Sequence, residues 1–230
     1  MESPWPILVL IAIGVIALIV WGIMSAAKRR KELAEWAGRH GLRFRADSDY
    51  GLDSRYASFQ CLQQGSRRYA YNLVDGAWQG RPFLGFDYHY ETYATDSKGQ
   101  QQTHHHYFSA VILDSDVPLK PLNIRPEGVF DKIAQFFGWD DINFESAEFS
   151  SKFHVTAPDR RWAYDVLHAR TIAFLLQMPR FSLQFDDRRV IAYKGSTFSV
   201  AEFESAAEII RGILDRLPDY VIQQQRQPQA

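Results

Sequence analysis

Residues 5–24 read WPILVLIAIGVIALIVWGIM, and after three small residues the chain continues with the basic run 28–31, KRRK. The apolar stretch contains no charged residue. A helix rises about 1.5 Å per residue, so about 20 such residues match a hydrocarbon core of about 30 Å. In lipid a helix satisfies its own backbone polar groups, so one span can stand alone. We predict a transmembrane helix over 5–24, preceded by a tail at 1–4.

The charges on either side of this span predict its orientation. Glu2 is the one charge before the span, whereas four cations follow it. The positive-inside rule then places the N-terminus outside and the C-terminal region in the cytoplasm, in a bacterial inner (cytoplasmic) membrane. Cations in this position also gain about 1 kcal/mol each beside anionic lipid. We therefore assign a membrane-surface role to Lys28, Arg29, Arg30 and Lys31.

A cleaved signal peptide is the alternative interpretation of the same stretch. Residues 25–27, Ser-Ala-Ala, resemble a cleavage site. A signal peptide would also need a basic region before a shorter apolar core. The sequence has neither, so the transmembrane helix is the favoured interpretation.

Composition limits the classes of protein that the remaining chain can belong to. The net charge of the 230 residues is −1, which excludes the strongly basic footprint of a nucleic-acid-binding protein. The aromatic content of 14% favours strands and a packed core over disorder. Cys61 is the single cysteine, so no intramolecular disulfide can form. A buried, inert thiol is favoured over a reactive one.

The first half of the polar region has helical and then strand periodicity. Residues 25–40 continue the membrane helix as a juxtamembrane helix, which Gly41 ends in a left-handed conformation. Alternation over 42–46 predicts a short strand, and 41–117 as a whole predicts an antiparallel meander. Its long strands are expected at 68–78, 83–93 and 103–113.

The second half, 118–217, predicts an α+β region. We expect strands at 122–125, 141–145 and 153–156 and a hairpin over 181–193. Helices are expected to begin at Pro126 and at Pro158, the first carrying Val129, Phe130, Ile133, Ala134 and Phe137 inward and ending at Gly138, and the second bending near 168–170.

The strongest helix signal lies near the C-terminus. Ser199 and Glu202 have the spacing of a capping box, an apolar stripe follows, and Pro218 ends the helix. Residues 218–230 predict a disordered tail. The fold class is therefore α+β, an N-terminal transmembrane helix followed by a largely antiparallel sheet with packed helices. Whether 41–217 is one domain, or two divided near Pro118, is left open.

A part of the chain resembles a known group of proteins. The resemblance rests on Glu148-Phe149, Phe153-His154-Val155, Asp159-Arg160-Arg161, the apolar run 172–176 and the strand 190–193, with Ile124-Arg125-Pro126-Glu127 upstream. In these features the chain is similar to uncharacterised bacterial inner-membrane proteins of a domain-of-unknown-function family. The resemblance implies a shared fold and membrane attachment, and it transfers no catalytic residue.

The run His104-His105-His106 is the most conspicuous candidate for chemistry. On a strand His104 and His106 share one face, while His105 points to the other. Together with His89 or Glu91 on the paired strand they would supply three zinc ligands. The alternative is that these histidines are solvated strand residues, since no cysteine or H-E-x-x-H motif accompanies them.

Other charged pairs are explained by turns and loops. Asp140-Asp141 and Asp186-Asp187 stand where turns favour aspartate, and Arg160-Arg161 and Arg188-Arg189 are the candidates for holding a phosphate. The sequence contains no G-x-S-x-G, P-loop or G-x-G-x-x-G motif. We therefore predict a non-enzymatic, membrane-anchored module without a cofactor, which contacts the lipid bilayer and binds a lipid or a membrane or cytoplasmic protein. The alternative is a metal-dependent hydrolase using the His104/His106 strand.

Overall fold

The computed structural model describes residues 5–96, 99–128, 139 and 141–226. Its first element is one helix, α1 (Trp5–Arg39), of 35 residues. Within the described ranges α1 is the one helix long and apolar enough to cross a membrane. The predicted transmembrane and juxtamembrane helices are thus a single uninterrupted element.

The end of α1 has the geometry that the glycine predicts. Gly41 has a φ of +67°, and the Leu42 N–H donates to the Ala37 carbonyl at 2.8 Å. This six-to-one bond satisfies a carbonyl of the last helical turn that would otherwise lack a partner.

The polar region is built on one sheet, in which every neighbouring pair of strands is antiparallel. The eight strands follow the spatial order β1-β2-β3-β4-β8-β7-β5-β6. The α+β prediction is confirmed. The strands are β1 (Arg43–Arg45), β2 (Ser66–Trp78), β3 (Arg81–Thr95), β4 (Gln101–Asp114), β5 (Leu122–Pro126), β6 (Phe153–Thr156), β7 (Ser182–Phe185) and β8 (Arg189–Lys194).

Pairing between β4 and β8 joins the two halves of the chain. Val111 lies opposite Ala192, and Leu113 lies opposite Val190. Residues 41–117 supply β1–β4 and residues 118–217 supply β5–β8, so the sheet continues without a break at Pro118.

Helices and hydrophobic clusters cover both faces of the sheet. On one face Leu33 and Trp36 of α1 pack with Phe83 and with Phe203 of the last long helix. On the other face a smaller cluster surrounds Tyr88. The remaining helices are α2 (Leu52–Arg55), a 3-10 turn (Gln60–Leu62), α3 (Ala147–Lys152), α4 (Arg160–Val166), α5 (Ala169–Gln177), α6 (Val200–Leu214) and α7 (Asp219–Arg226).

The C-terminal half departs from the sequence prediction in two places. The strand expected at 141–145 is reduced to an isolated bridge between Asp141 and Thr156. It is followed by α3, which begins where the Ser146 hydroxyl accepts the Phe149 N–H at 3.2 Å. Residues 219–226, expected to be disordered, form α7, because Val221 is buried in the main core at 1% exposure. The predicted helix carrying Val129 to Phe137 lies outside the described residues.

The capping box at the start of α6 is present as predicted. The Ser199 hydroxyl accepts the Glu202 N–H at 3.3 Å, and the Glu202 carboxylate accepts the Ser199 N–H at 2.8 Å. Lys194 also donates to Glu202 at 2.8 Å, and this bond lowers the pKa of the carboxyl. The helix therefore begins at a fixed residue and lays its apolar stripe against the sheet.

We expect Ile210→Asp to lower the free energy of unfolding by several kcal/mol, because Ile210 is fully buried and an unpaired charge there is costly. Ala201→Asp is the control, since Ala201 is exposed in the first turn of the same helix, where a negative charge is favourable. Ser199→Ala is expected to cost about 1 kcal/mol through loss of the cap. Thermal melts of the detergent-solubilised chain measure all three, and equal melting temperatures for the two aspartate variants would contradict the prediction.

Candidate functional site

A polar strip runs along the α1-facing side of the sheet. Successive residues of a strand alternate between faces, so Asp87, His89 and Glu91 of β3 point to the same side. Their partners across β4 are Ser109, Tyr107 and His105. Strand positions nearer to Phe83 on this face are apolar, and the strip begins where the hydrophobic core ends.

Asp87 and Arg29 form a bidentate ion pair at the start of this strip. Arg29 Nε lies 2.8 Å from Asp87 Oδ2, and Arg29 Nη2 lies 2.6 Å from Oδ1. The Asp87 side chain is fully buried, whereas that of Arg29 is 27% exposed. Parallel N–H donors of this kind match the geometry of a carboxylate, so α1 is held to β3 at a defined position.

Neighbouring polar groups complete the environment of the carboxylate. Asn72 Nδ2 donates to Asp87 Oδ2 at 2.9 Å, and Ser109 Oγ donates to Oδ1 at 2.5 Å. The same Ser109 oxygen accepts the Phe198 N–H at 2.8 Å, and Arg29 Nη1 donates to the Phe198 carbonyl at 2.7 Å. One network therefore connects α1, three strands and the loop that precedes α6.

Tyrosines surround His89, the next residue along the strip. The ring centroids of Tyr69 and Tyr107 lie 4.7 and 4.9 Å from that of His89, and Tyr71 lies 5.8 Å from Tyr69. Burial, followed by the charge of Asp87, raises the pKa of Tyr71. Burial also raises the pKa of Tyr69. Tyr69 and Tyr71 therefore remain protonated at neutral pH.

Two irregularities in β2 aim polar groups at the strip. The register of β2 on β3 shifts between Ser66 and Tyr69 and again between Tyr71 and Val74. Arg67 and Asn72 have φ values of +48° and +50° at these positions. Non-glycine residues rarely adopt such angles. The first bulge brings the Arg67 carbonyl to 3.3 Å from His89 Nδ1, and the second delivers Asn72 to Asp87. Sequence analysis missed both bulges, since neither carries a glycine at the strained position.

The predicted metal set of His104, His106 and His89 is not brought together. His104 lies opposite Thr92 and His106 opposite Tyr90, on the face that His89 does not share. His106 Nε2 is 2.8 Å from the Thr92 hydroxyl, and its ring stacks on Tyr90 at 4.6 Å. The prediction was wrong about the face, because the register places His105, and not its two neighbours, beside His89 and Glu91.

The four cations after the apolar stretch divide into two groups. Lys28 and Lys31 are each 78% exposed, with Glu32 and Glu35 one turn away at 3.9 and 3.8 Å. Arg30 is also exposed. Arg29 instead faces the sheet, because it lies on the same side of α1 as Leu33 and Trp36. The membrane-surface assignment of Arg29 is therefore replaced by its bond to Asp87.

Several of the other charged candidates have structural partners. Asp186 accepts the N–H groups of Arg188 and Arg189 at 2.8 and 2.6 Å, which is a turn role. Arg189 also pairs with Asp114 at 3.4 Å. Asp141 lies 2.7 Å from His154 Nε2, and Asp140 lies outside the described residues. Cys61 is buried at 1% exposure, as expected for an inert thiol.

Comparison with known proteins identifies a similar fold. No family model and no curated protein matches the chain, so the family resemblance seen in the sequence stays a prediction. Among solved structures, the crystal structure of the mycobacterial trehalose monomycolate transport factor A, TtfA, aligns with a TM-score of 0.58 at 13% identity. The alignment covers 81% of this chain and 92% of that one. At this identity the likeness concerns the fold.

We expect Arg29→Ala to lower the free energy of unfolding by about 2 kcal/mol. The change leaves a fully buried carboxylate without its counter-charge, and the partial exposure of Arg29 reduces the loss below that of a wholly buried pair. Lys28→Ala is the matched control, one residue away on the exposed side of the same helix, and should leave the melting temperature unchanged. Equal melting temperatures for the two variants would show that the pair does not hold the helix to the sheet.

Proposed function

We propose that the chain is a single-pass, membrane-anchored module that works by binding a protein or lipid partner at the membrane surface. The observation that carries the proposal is the continuity of α1, whose apolar residues are exposed at its start while Leu33, Trp36 and Ala37 near its end are buried in the domain core. Anchor and domain share one helix, with no linker between them.

The spacing along α1 limits how far the domain can stand from the bilayer. Arg29, which forms the ion pair, lies five positions after Met24 at the end of the apolar stretch, which is about 7.5 Å of helix. A domain held so close meets other membrane-bound molecules readily and cytoplasmic molecules less so. The proposed partner is accordingly a membrane protein or a lipid.

The solved structure with a similar fold suggests, by analogy of fold alone, what kind of partner the chain binds. TtfA is described as a trehalose monomycolate transport factor. By analogy, this chain would assist the transport of a lipid as an accessory component, rather than carry out a reaction. The alternative, a hydrolase built on His104 and His106, loses support because those side chains do not meet His89.

In the proposed orientation the sheet lies on the cytoplasmic side of a bacterial inner membrane. We expect a reporter active only in the cytoplasm, fused after Ala230, to be active, because cations favour that side. Replacing Lys28, Arg30 and Lys31 with glutamate should reduce this activity and raise that of a periplasm-only reporter. Arg29 is kept in the variant, since its loss would also disturb the fold. Full activity of the periplasmic reporter on the unaltered chain would overturn the orientation.

We expect the direct connection between anchor and domain to matter for partner binding. A photo-crosslinking residue in place of Tyr107, which is 49% exposed, should yield a discrete crosslinked product in intact cells. A flexible Gly/Ser linker of about 10 residues inserted after Met24 should reduce that product several-fold, because the domain then samples a larger volume. The same linker appended after Ala230 is the control and should have no effect.

Two outcomes of this experiment would contradict the proposal. One is an equal yield of crosslinked product from the chain with the inserted linker. The other is an equal yield from a chain that lacks residues 5–24, because a partner captured without the anchor does not depend on the membrane.

A further inference from the structure

We propose that His89, Glu91 and His105 form a binding site for a divalent transition-metal ion, with zinc the best match. One ligand atom from each residue lies within 4.8 Å of the other two. Two imidazoles and one carboxylate are a donor set used by zinc sites that keep a fourth position for water or another ligand. The site is distinct from the Arg29–Asp87 network and does not depend on the proposed partner.

The separations between the ligand atoms fit a tetrahedral ion. Two ligands at about 2.0–2.1 Å from zinc, at a tetrahedral angle, lie about 3.3–3.4 Å apart. His89 Nε2 lies 3.1 Å from His105 Nδ1, and His105 Nδ1 lies 3.6 Å from Glu91 Oε1. These two separations lie within a few tenths of an ångström of the tetrahedral value, and the third, between His89 and Glu91, is within 4.8 Å.

Neighbouring groups bind the ring nitrogen of His89 and the carboxylate oxygen of Glu91 that would not contact the metal ion. His89 Nδ1 lies 3.3 Å from the Arg67 carbonyl, which can only accept, so the proton belongs on Nδ1 and the lone pair of Nε2 faces His105. Tyr93 donates to Glu91 Oε2 at 3.0 Å, and Arg67 lies 3.5 Å from the same oxygen. Oε1 is the oxygen turned towards His105. Outer partners of this kind orient metal ligands and fix the tautomer of histidine.

The backbone of Arg67 gives an independent reason to regard the site as functional. Its φ of +48° is an unfavourable conformation for a residue with a side chain. The conformation belongs to the bulge that directs its carbonyl at His89. Glycine at position 65 allows the backbone before β2 to lie close to that of β3, since a Cβ on Gly65 would lie 2.2 Å from the Glu91 carbonyl oxygen.

Two of the proposed ligands are buried, and the third is accessible to solvent. His89 and Glu91 are 3% and 5% exposed, whereas the His105 side chain is 52% exposed. An ion could thus enter past His105 onto two ligands that are already held in place. Without an ion, the 3.1 Å contact is a hydrogen bond from His105 to His89. The competing explanation, which the experiment must exclude, is that these residues form this hydrogen bond and bind no ion.

The test is a zinc titration by calorimetry on the full chain in detergent micelles. The protein is purified through a tag without histidine and stripped with a chelator. We expect one ion per chain for the unaltered protein and for His104→Ala, whose side chain is exposed on the opposite face. His105→Ala and Glu91→Gln should each weaken binding at least tenfold. Both are expected to fold, since His105 is half exposed and glutamine keeps an acceptor for Tyr93.

Circular dichroism checks that each variant is folded before titration. Cobalt(II) in place of zinc adds a second readout, since a tetrahedral site gives intense visible absorption that His105→Ala should abolish. Three results would overturn the proposal: no stoichiometric binding to the unaltered chain, undiminished binding to folded His105→Ala and Glu91→Gln, or equal losses in His104→Ala and His105→Ala. None of these would affect the anchoring proposal, which the linker and topology experiments test separately.

Discussion

The ion pair between Arg29 and Asp87 sets the position of the long helix on the sheet. A buried carboxylate is costly unless its lone pairs are satisfied, and Asp87 receives donors from Arg29, Asn72 and Ser109. A shift of α1 by one turn, about 5.4 Å, would leave that charge unpaired. Trp36 Nε1 also donates to Glu204 Oε1 at 2.7 Å, whereas apolar contacts such as those of Leu33 tolerate sliding better. The ion pair and this hydrogen bond together therefore fix the register of α1 on the domain.

The rest of the polar strip depends on the same arrangement. The helix α1 packs on the sheet from Arg29 onward, and the described side chains before Arg29 are exposed. His89, Glu91 and His105 lie further along β3 and β4, where the rings of Tyr69 and Tyr107 flank His89. The bulges of β2 serve both parts of the strip, one supplying Asn72 to the ion pair and the other a carbonyl to His89. A single irregular strand thus links attachment of the helix to the proposed metal site.

Local signals in the sequence were sufficient for most elements and insufficient for the site. The apolar span, the long strands and the Ser199 capping box depend on neighbours within a few residues. The metal ligands depend on which residues of β3 and β4 share a face, and that follows from the connecting loop. Five residues separate the paired Thr95 and Gln101; one residue more or fewer would have placed His104 and His106 beside His89. The role of Arg29 was readable, because Leu33 and Trp36 follow it at helical spacing.

In the proposed membrane-anchored arrangement, the uninterrupted α1 couples the orientation of the domain to that of the span in the bilayer. Transmembrane helices change their tilt to match hydrocarbon thickness, and a helix without a hinge transmits that rotation to whatever is fixed at its other end. Because the Arg29–Asp87 pair and the packing of Trp36 fix the sheet to α1, a thinner membrane would swing the sheet through the same angle as the span. Lipid composition would then set the height of the hairpin between β3 and β4 above the headgroups.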